Sequence, residues 1–508
     1  MLLSFLLSCH GASDSAAPVV CEPLQISVAQ EWNEEDLPER LTTSTRPSLA
    51  MGDFDGDGWL DVFFGYADGS MFLWNDGTGD LTPGPEGPIE MPWPSASAAA
   101  IGDIDGDGDL DLYLGRARDS DHLLINDGGR SFTLTTLPDS ETAASHGAFG
   151  DFDRDGDLDL IVGTMPENPD TEGIVNGTEL GTGSRLYLQD GGDFQVSQGA
   201  LPAETAAGMV WQISPIDADS DGDLDLYLAH DFGPFLAPNQ LLLNDGTGYF
   251  TVAEDCFCNI EMHAMGTAVG DANGDGYPDL YITDAGGPNL LINEGDGTFY
   301  DATIASGADI GPTPEHMTSW GTTFADLNQD GCLDLPVLFG NLGQHSDYIT
   351  ENINPDWIDG EEQPDLLLLS DCEGGFSQAE ESGFSDPSRT RNIAIGDLDR
   401  DGRPDIVTAG KHFIRAWRTA GGCPPGLTVS LQQAPGASAL GAKISVIADG
   451  RHTTQWILPS TTNSASSAEL YFGLSGADTA ESVTVHWMDG SQETFNVVPA
   501  GFLTLTPP

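Results

Sequence analysis

Basic residues are scarce. The 508-residue chain holds 16 Lys and Arg against 82 Asp and Glu, a formal net charge of −66. A surface so short of cations is poorly suited to neutralise phosphates, which disfavours nucleic acid and anionic membrane surfaces as partners. Long apolar runs are missing too. Beyond the first nine residues no stretch approaches the roughly 20 apolar residues that a membrane-crossing helix needs. Lys is rare and Gly plentiful, 63 residues, which argues against long helices. No G-x-S-x-G elbow, H-E-x-x-H pair or Arg-Gly-Asp tripeptide occurs, so the common hydrolase and metalloprotease signatures are absent. The acidic residues are spaced among apolar ones rather than run together, unlike a disordered acidic tail.

That spacing has a pattern. One nonapeptide recurs seven times: DFDGDGWLD from 53, DIDGDGDLD from 103, DFDRDGDLD from 151, DADSDGDLD from 217, DANGDGYPD from 271, DLNQDGCLD from 326 and DLDRDGRPD from 397. Oxygen side chains occupy positions 1, 3, 5 and 9. They are Asp53, Asp55, Asp57 and Asp61 in loop 1, Asp103, Asp105, Asp107 and Asp111 in loop 2, and Asp151, Asp153, Asp155 and Asp159 in loop 3. Loop 4 has Asp217, Asp219, Asp221 and Asp225; loop 5 has Asp271, Asn273, Asp275 and Asp279. Asp326, Asn328, Asp330 and Asp334 make loop 6, and Asp397, Asp399, Asp401 and Asp405 make loop 7. Position 6 is Gly every time, as a sharp turn requires. A hard cation that takes six to eight oxygens suits this spacing, so the loops are expected to bind up to seven structural Ca²⁺ ions. Loops 5 and 6, with Asn at position 3, should bind most weakly. Positions 2 and 8 are apolar or Pro and should anchor each loop to a sheet.

The repeat spacing, 48 to 71 residues, with several short strands per unit, signals propeller blades rather than a helical solenoid. A strand of small residues precedes each loop (SASAAAIGD, SHGAFGD, GTAVGD) and an apolar strand follows it (DVFFG, DLYLG, DLIVG). A third strand ends in Asn-Asp-Gly or Asp-Gly, which tolerates the positive φ of tight hairpins, and a fourth begins near a Phe. Four strands in seven units predict an all-β fold, a seven-bladed β-propeller over 30–422. The seventh unit is short of a strand, which the segment LQISVAQ near residue 24 could supply. Residues 427–508 lack the acidic loop and read as short strands of a small β-sandwich or barrel.

At the N-terminus, 1–9 reads MLLSFLLSC and resembles a lipobox, although without a basic leader; a plain secretory signal with a chance Cys9 is the alternative. Residues 10–29 then form a linker. Six cysteines remain, an even number that suits disulfides in an exported chain. Cys21 and Cys423 bracket the repeats and Cys332 and Cys372 flank one, leaving Cys256 with Cys258. A soft-metal site of the last two with His263 is the other reading.

The seven loops resemble the FG-GAP and VCBS repeats of integrin α-like propellers. The stretches LGAK at 440–443, YFGL at 471–474 and VTVHWMDG at 483–490 are similar to the ASPIC/UnbV domain, with Met488-Asp489 where Pro-Ser is usual. The combined order resembles the cartilage acidic protein family and its bacterial relatives. That resemblance implies an extracellular calcium-binding scaffold for adhesion or matrix contact. The rigid acidic disc and its long insertions suit an extracellular protein or glycan as partner, and the chain is expected to be a monomer. Membrane attachment would come only through a lipid on Cys9. The insertions at 166–183 and 340–364 suit recognition, and 176–178 forms a glycosylation sequon. The alternative is a hydrolase or lyase at the channel mouth, using His146, Trp211, His263, His316, Trp320 and Arg391; scattered groups of this kind more often pack blades or line the channel.

Overall fold

Apolar alternation on either side of each acidic loop produces the strands. The computed structural model describes residues 21–507 apart from 34–46, 67–68, 85–95, 117–118, 167–169, 177–180, 182, 311–317, 341–362, 411–412, 432–438, 459–463 and 466–468. Cys9 with the 1–9 segment, His316, and most of the 340–364 insertion therefore lie outside the described residues. Blade 1 is typical: Ser48–Gly52, Asp61–Tyr66, Gly69–Asn75 and Leu81–Pro83 pair antiparallel in chain order. Seven such sheets follow one another. Each inner strand touches the next blade's inner strand, and the last, Thr390–Gly396, returns to Ser48–Gly52. The ring is closed, a seven-bladed β-propeller.

Small residues let seven strands crowd around one axis. Gly147 on the inner strand of blade 3 (Ala144–Gly150) faces the buried Tyr113 of blade 2, whose ring would lie 2.4 Å from an added Cβ. Large residues on the second strands thus fill the space that small inner-strand residues leave, and a close-packed core forms between blades.

Blade 7 corrects the expected domain boundary. Its fourth strand is Glu22–Asn33, paired antiparallel with Phe413–Gly422 from Glu22 opposite Gly422 to Asn33 opposite Phe413. Residues 22–29, assigned to the linker, are strand: the segment LQISVAQ supplies blade 7's missing strand as expected, since the third strand would otherwise present an unpaired edge. Leu24 and Ile26 are buried in the blade. The Cys21–Cys423 disulfide fastens the junction, and Cys332–Cys372 and Cys256–Cys258 also form. The last pairing removes the thiols from the soft-metal reading.

The C-terminal domain is a sandwich of two sheets. Arg451–Trp456, Lys443–Ala448, Thr479–His486 and Gln492–Pro499 make one, and Glu469–Phe472, Leu427–Leu431 and Gly501–Leu505 the other. Val429, Ile444, Val446, Phe472, Val483, Val485 and Trp487 fill the space between. One short strand leaves the sandwich. Ser464–Ala465 pairs parallel with the inner strand of blade 1 at Leu49 and Ala50 and contacts the inner strands of blades 2 and 7, so it enters the channel.

Candidate metal loops and the face they form

Each loop is shaped by its own carboxylates. In loop 1, Asp53 Oδ1 accepts the N–H groups of Gly56 and Asp57 at 2.9 and 3.1 Å, and its Oδ2 accepts that of Gly58 at 2.9 Å. Asp55 Oδ1 takes the Asp57 N–H and Asp57 Oδ1 the Trp59 N–H. Asp271, Asp326 and Asp397 repeat the position-1 bonds to positions 5 and 6 at 2.8 to 3.1 Å. The turn at position 6 has φ of +90° at Gly58 and +97° at Gly108, left-handed space that a side chain strains. Position 4 is left-handed too, even where it is Arg154, Ser220, Gln329 or Arg400. Nothing in the sequence pattern marked that second turn residue.

Position 9 has a bracing task as well. Asp61 Oδ2 accepts the Phe54 N–H at 3.1 Å and Oδ1 the Asn75 N–H at 2.8 Å, tying the loop's start to the third strand. The same pair of bonds recurs at Asp111, Asp159, Asp225 and Asp279. The bonds leave room for convergence. Ligand-type oxygens of Asp53, Asp55 and Asp57, of Asp103, Asp105 and Asp111, of Asp151, Asp153 and Asp159, and of Asp217, Asp219 and Asp225 lie within 4.8 Å of one another in each loop.

Such gathering is costly without a counter-charge. Burial, only partly offset by backbone donors, lifts Asp61, Asp159, Asp225 and Asp405 to about 8 and Asp111 to about 7. Asp151, Asp217, Asp271 and Asp397 rise to about 6 for the same first reason, with neighbouring carboxylates adding to it. The residues at positions 1, 3, 5 and 9 fit a hard divalent cation: all-oxygen donors, pre-oriented by backbone N–H groups, whose ionised form a cation would favour.

Sequence reasoning missed the amide at the end of the third strand in blades 1 to 5. Asn244 Nδ2 donates to Leu224 O in its own loop at 3.1 Å and to Phe152 O in the previous blade's loop at 2.9 Å. Asn75, Asn126, Gln189 and Asn293 make the same two-way bracket, and Asn75 closes the ring by reaching Leu398 O. The Asn of Asn-Asp-Gly reads as turn chemistry; the signal for a bracket was its fixed place in the motif.

The loops share one face, and the C-terminal domain sits on it. Gly473 N–H donates to Asp326 Oδ2 at 2.6 Å, Thr453 Oγ1 to Gly331 O at 2.6 Å, and Ser475 Oγ to Asp330 O at 2.6 Å. Asp397 N–H donates to Tyr471 Oη at 2.8 Å, while Arg400 pairs with Glu469 at 2.7 Å. A model for the FG-GAP-like repeat matches residues 53–114, 103–162 and 271–337, and one for ASPIC and UnbV matches 432–506. The chain carries FG-GAP-like repeats and an ASPIC and UnbV domain.

Cartilage acidic protein 1 of Xenopus tropicalis is 26% identical over 200 residues, 37% of this chain and 27% of that protein. The Homo sapiens protein of the same name is 29% identical over 143 residues, 28% and 18% respectively. The match thus spans about a quarter or less of these relatives. A solved Agrocybe aegerita lectin, described as recognising non-reducing terminal N-acetylglucosamine, is 18% identical, with 66% of this chain and 80% of that one covered and a TM-score of 0.43. BBS1N in complex with ARL6DN gives 10% identity, 77% and 96% coverage, and 0.45.

Five of the residues named for a channel-mouth enzyme, His146, Trp211, His263, Trp320 and Arg391, lie at the end of the FG-GAP-like propeller away from the loops. Trp211 and Trp320 rings are 5.5 Å apart, and the Arg391 guanidinium lies 3.6 Å over Trp320. Both Trp are buried among Met165, Met209, Phe232 and Met265. His146 is buried in blade 3 and accepts the Ile213 N–H. His263 Nδ1 meets Asp231 at 3.1 Å, and its backbone N–H donates to Asp284. These contacts join blades; His316 lies outside the described residues.

Proposed function

We propose that this chain is an exported binding scaffold in which calcium holds the FG-GAP-like propeller together. The convergence of three carboxylates in each of loops 1 to 4, at least two of them buried or half-buried, carries the reading. Burial raises the proton affinity of the position-1 and position-9 carboxylates of these loops, which leaves the cation-free loop energetically incomplete, and filling it couples ion binding to blade folding. With a site motif in every blade, the ions are structural staples rather than sensors. The candidate ligands are the position-1, -3, -5 and -9 residues named above, for up to seven ions. Calorimetric titration of the chelator-stripped chain is expected to show calcium uptake and a raised melting temperature; no uptake would sink the proposal.

Similarity to the cartilage acidic proteins and the acidic surface support an extracellular protein or glycan partner, with the insertions at 166–183 and 340–364 as recognition segments. The chain acts as a monomer, and Cys9 is a candidate lipid anchor to the cell envelope. Pull-down from cell-surface extract with and without calcium tests the partner, and deletion of either insertion should weaken capture.

A further inference from the structure

Two of the seven loops lack a carboxylate, and the ASPIC and UnbV domain places a cation on each of those two. Loop 5 carries Asn273 at position 3 and loop 6 carries Asn328. Lys443 Nζ donates to Gly276 O, at position 6 of loop 5, at 2.5 Å. Arg451 Nη1 donates to Asp330 O, at position 5 of loop 6, at 3.0 Å. In both loops the Asn amide also turns onto the position-5 carboxylate: Asn273 Nδ2 reaches Asp275 Oδ2 at 2.8 Å and Asn328 Nδ2 reaches Asp330 Oδ2 at 3.0 Å.

Loop 6 is bound further. Asp326 Oδ2, which accepts from Gly331 as position 1 does elsewhere, also accepts from Gly473 of the C-terminal domain. Loops 2, 3 and 4 stand at the other extreme. They keep all four carboxylates and add a fifth Asp at position 7, namely Asp109, Asp157 and Asp223. Arginines reach other loops too, Arg418 at Asp399 and Asp405 of loop 7, Arg130 at Asp55 and Arg400 at Gly58 O of loop 1, and Arg154 at Asp223 of loop 4. These come from the propeller itself, and each of those loops retains its four carboxylates.

Removing one negative charge and adding one fixed positive charge shifts a loop by two units. The affinity of an all-oxygen site follows its charge count, and a nearby cation disfavours a second one. We propose that loops 5 and 6 are the seat of the ASPIC and UnbV domain rather than cation sites, with Lys443 and Arg451 supplying the positive charge that a metal supplies elsewhere. This rests on the reading of the remaining loops as calcium sites.

The test counts ions bound to the full chain at saturating calcium, by native mass spectrometry and by equilibrium dialysis with elemental analysis. Wild type is expected to hold no more than five. Lys443→Met should add one ion, Arg451→Met one, and the double variant two. Methionine keeps an apolar stem where Lys443 lies against Trp456, and melting in calcium checks that each variant is folded. If the double variant does not fold, each single variant reports its own loop. Six or seven ions in wild type, or an unchanged count in a folded single variant, would overturn the inference. Zero uptake by wild type is a separate outcome that removes the calcium reading beneath it.

Discussion

Five amide side chains, at Asn75, Asn126, Gln189, Asn244 and Asn293, join neighbouring loops across the blade boundaries. Each satisfies two backbone carbonyls that strand pairing leaves over, and an orphaned buried carbonyl costs roughly 1–3 kcal/mol. Asn244→Ala is therefore expected to lower unfolding free energy by about 2–4 kcal/mol, read as a shift of the urea midpoint with an unchanged slope. Gly108 isolates a different cost. Its φ is +97° and an added Cβ would meet nothing within 4 Å, so Gly108→Ala isolates the strain of a Cβ in left-handed space. About 1–2 kcal/mol should be lost in the presence of calcium. A neutral result in a chemical melt would show that the turn relaxes.

At the scale of the loop and its flanking strands, pH should act in an unusual direction. Carboxyls at position 9 are raised on folding, to about 8 at Asp61, Asp159, Asp225 and Asp405, chiefly by burial. The folded, cation-free chain thus binds more protons than the unfolded one between about pH 4 and 8, and stability falls as pH rises through that window. The blade 4–5 junction adds to it. Burial alone would lower His263, but the bond to Asp231 and the charges of Asp231 and Asp284 raise it, so its contribution is also lost as pH rises through the folded value. Melting temperature in chelator should decline from pH 4 to 8, and saturating calcium should abolish most of that decline. A cation-free chain that grows more stable toward neutral pH would contradict the loop electrostatics. These loops were legible in the sequence because ligand chemistry dictates spacing; their left-handed position 4 was not, since Arg154 and Ser220 can enter that conformation under local hydrogen bonding without a compositional mark.

For the whole molecule, the blade count and the three disulfide pairings could be read from repeat spacing and from which cysteines flank what. The seating of the ASPIC and UnbV domain could not. It depends on single contacts far apart in sequence, such as Thr453 with Gly331 and Ser464–Ala465 with Leu49 and Ala50, and such pairs leave no local periodicity. Ring closure gives a prediction at this scale. Cys21 and Cys423 are 402 residues apart, and a cross-link over so long a segment restricts the unfolded chain strongly. Replacing both with Ser should cost about 2–5 kcal/mol, measured by calcium-saturated denaturant unfolding. Calcium itself should contribute about 2.7 kcal/mol per occupied site at a hundredfold excess over its dissociation constant, and melting temperature should follow free calcium over that range.

The outermost strand of blade 7 has one more consequence. Glu22–Asn33 is made early in synthesis, yet its partner Phe413–Gly422 is made nearly four hundred residues later. The earliest strand therefore waits as an unpaired, partly apolar ribbon while six blades assemble, and the ring becomes topologically complete only when its beginning is laid over its end.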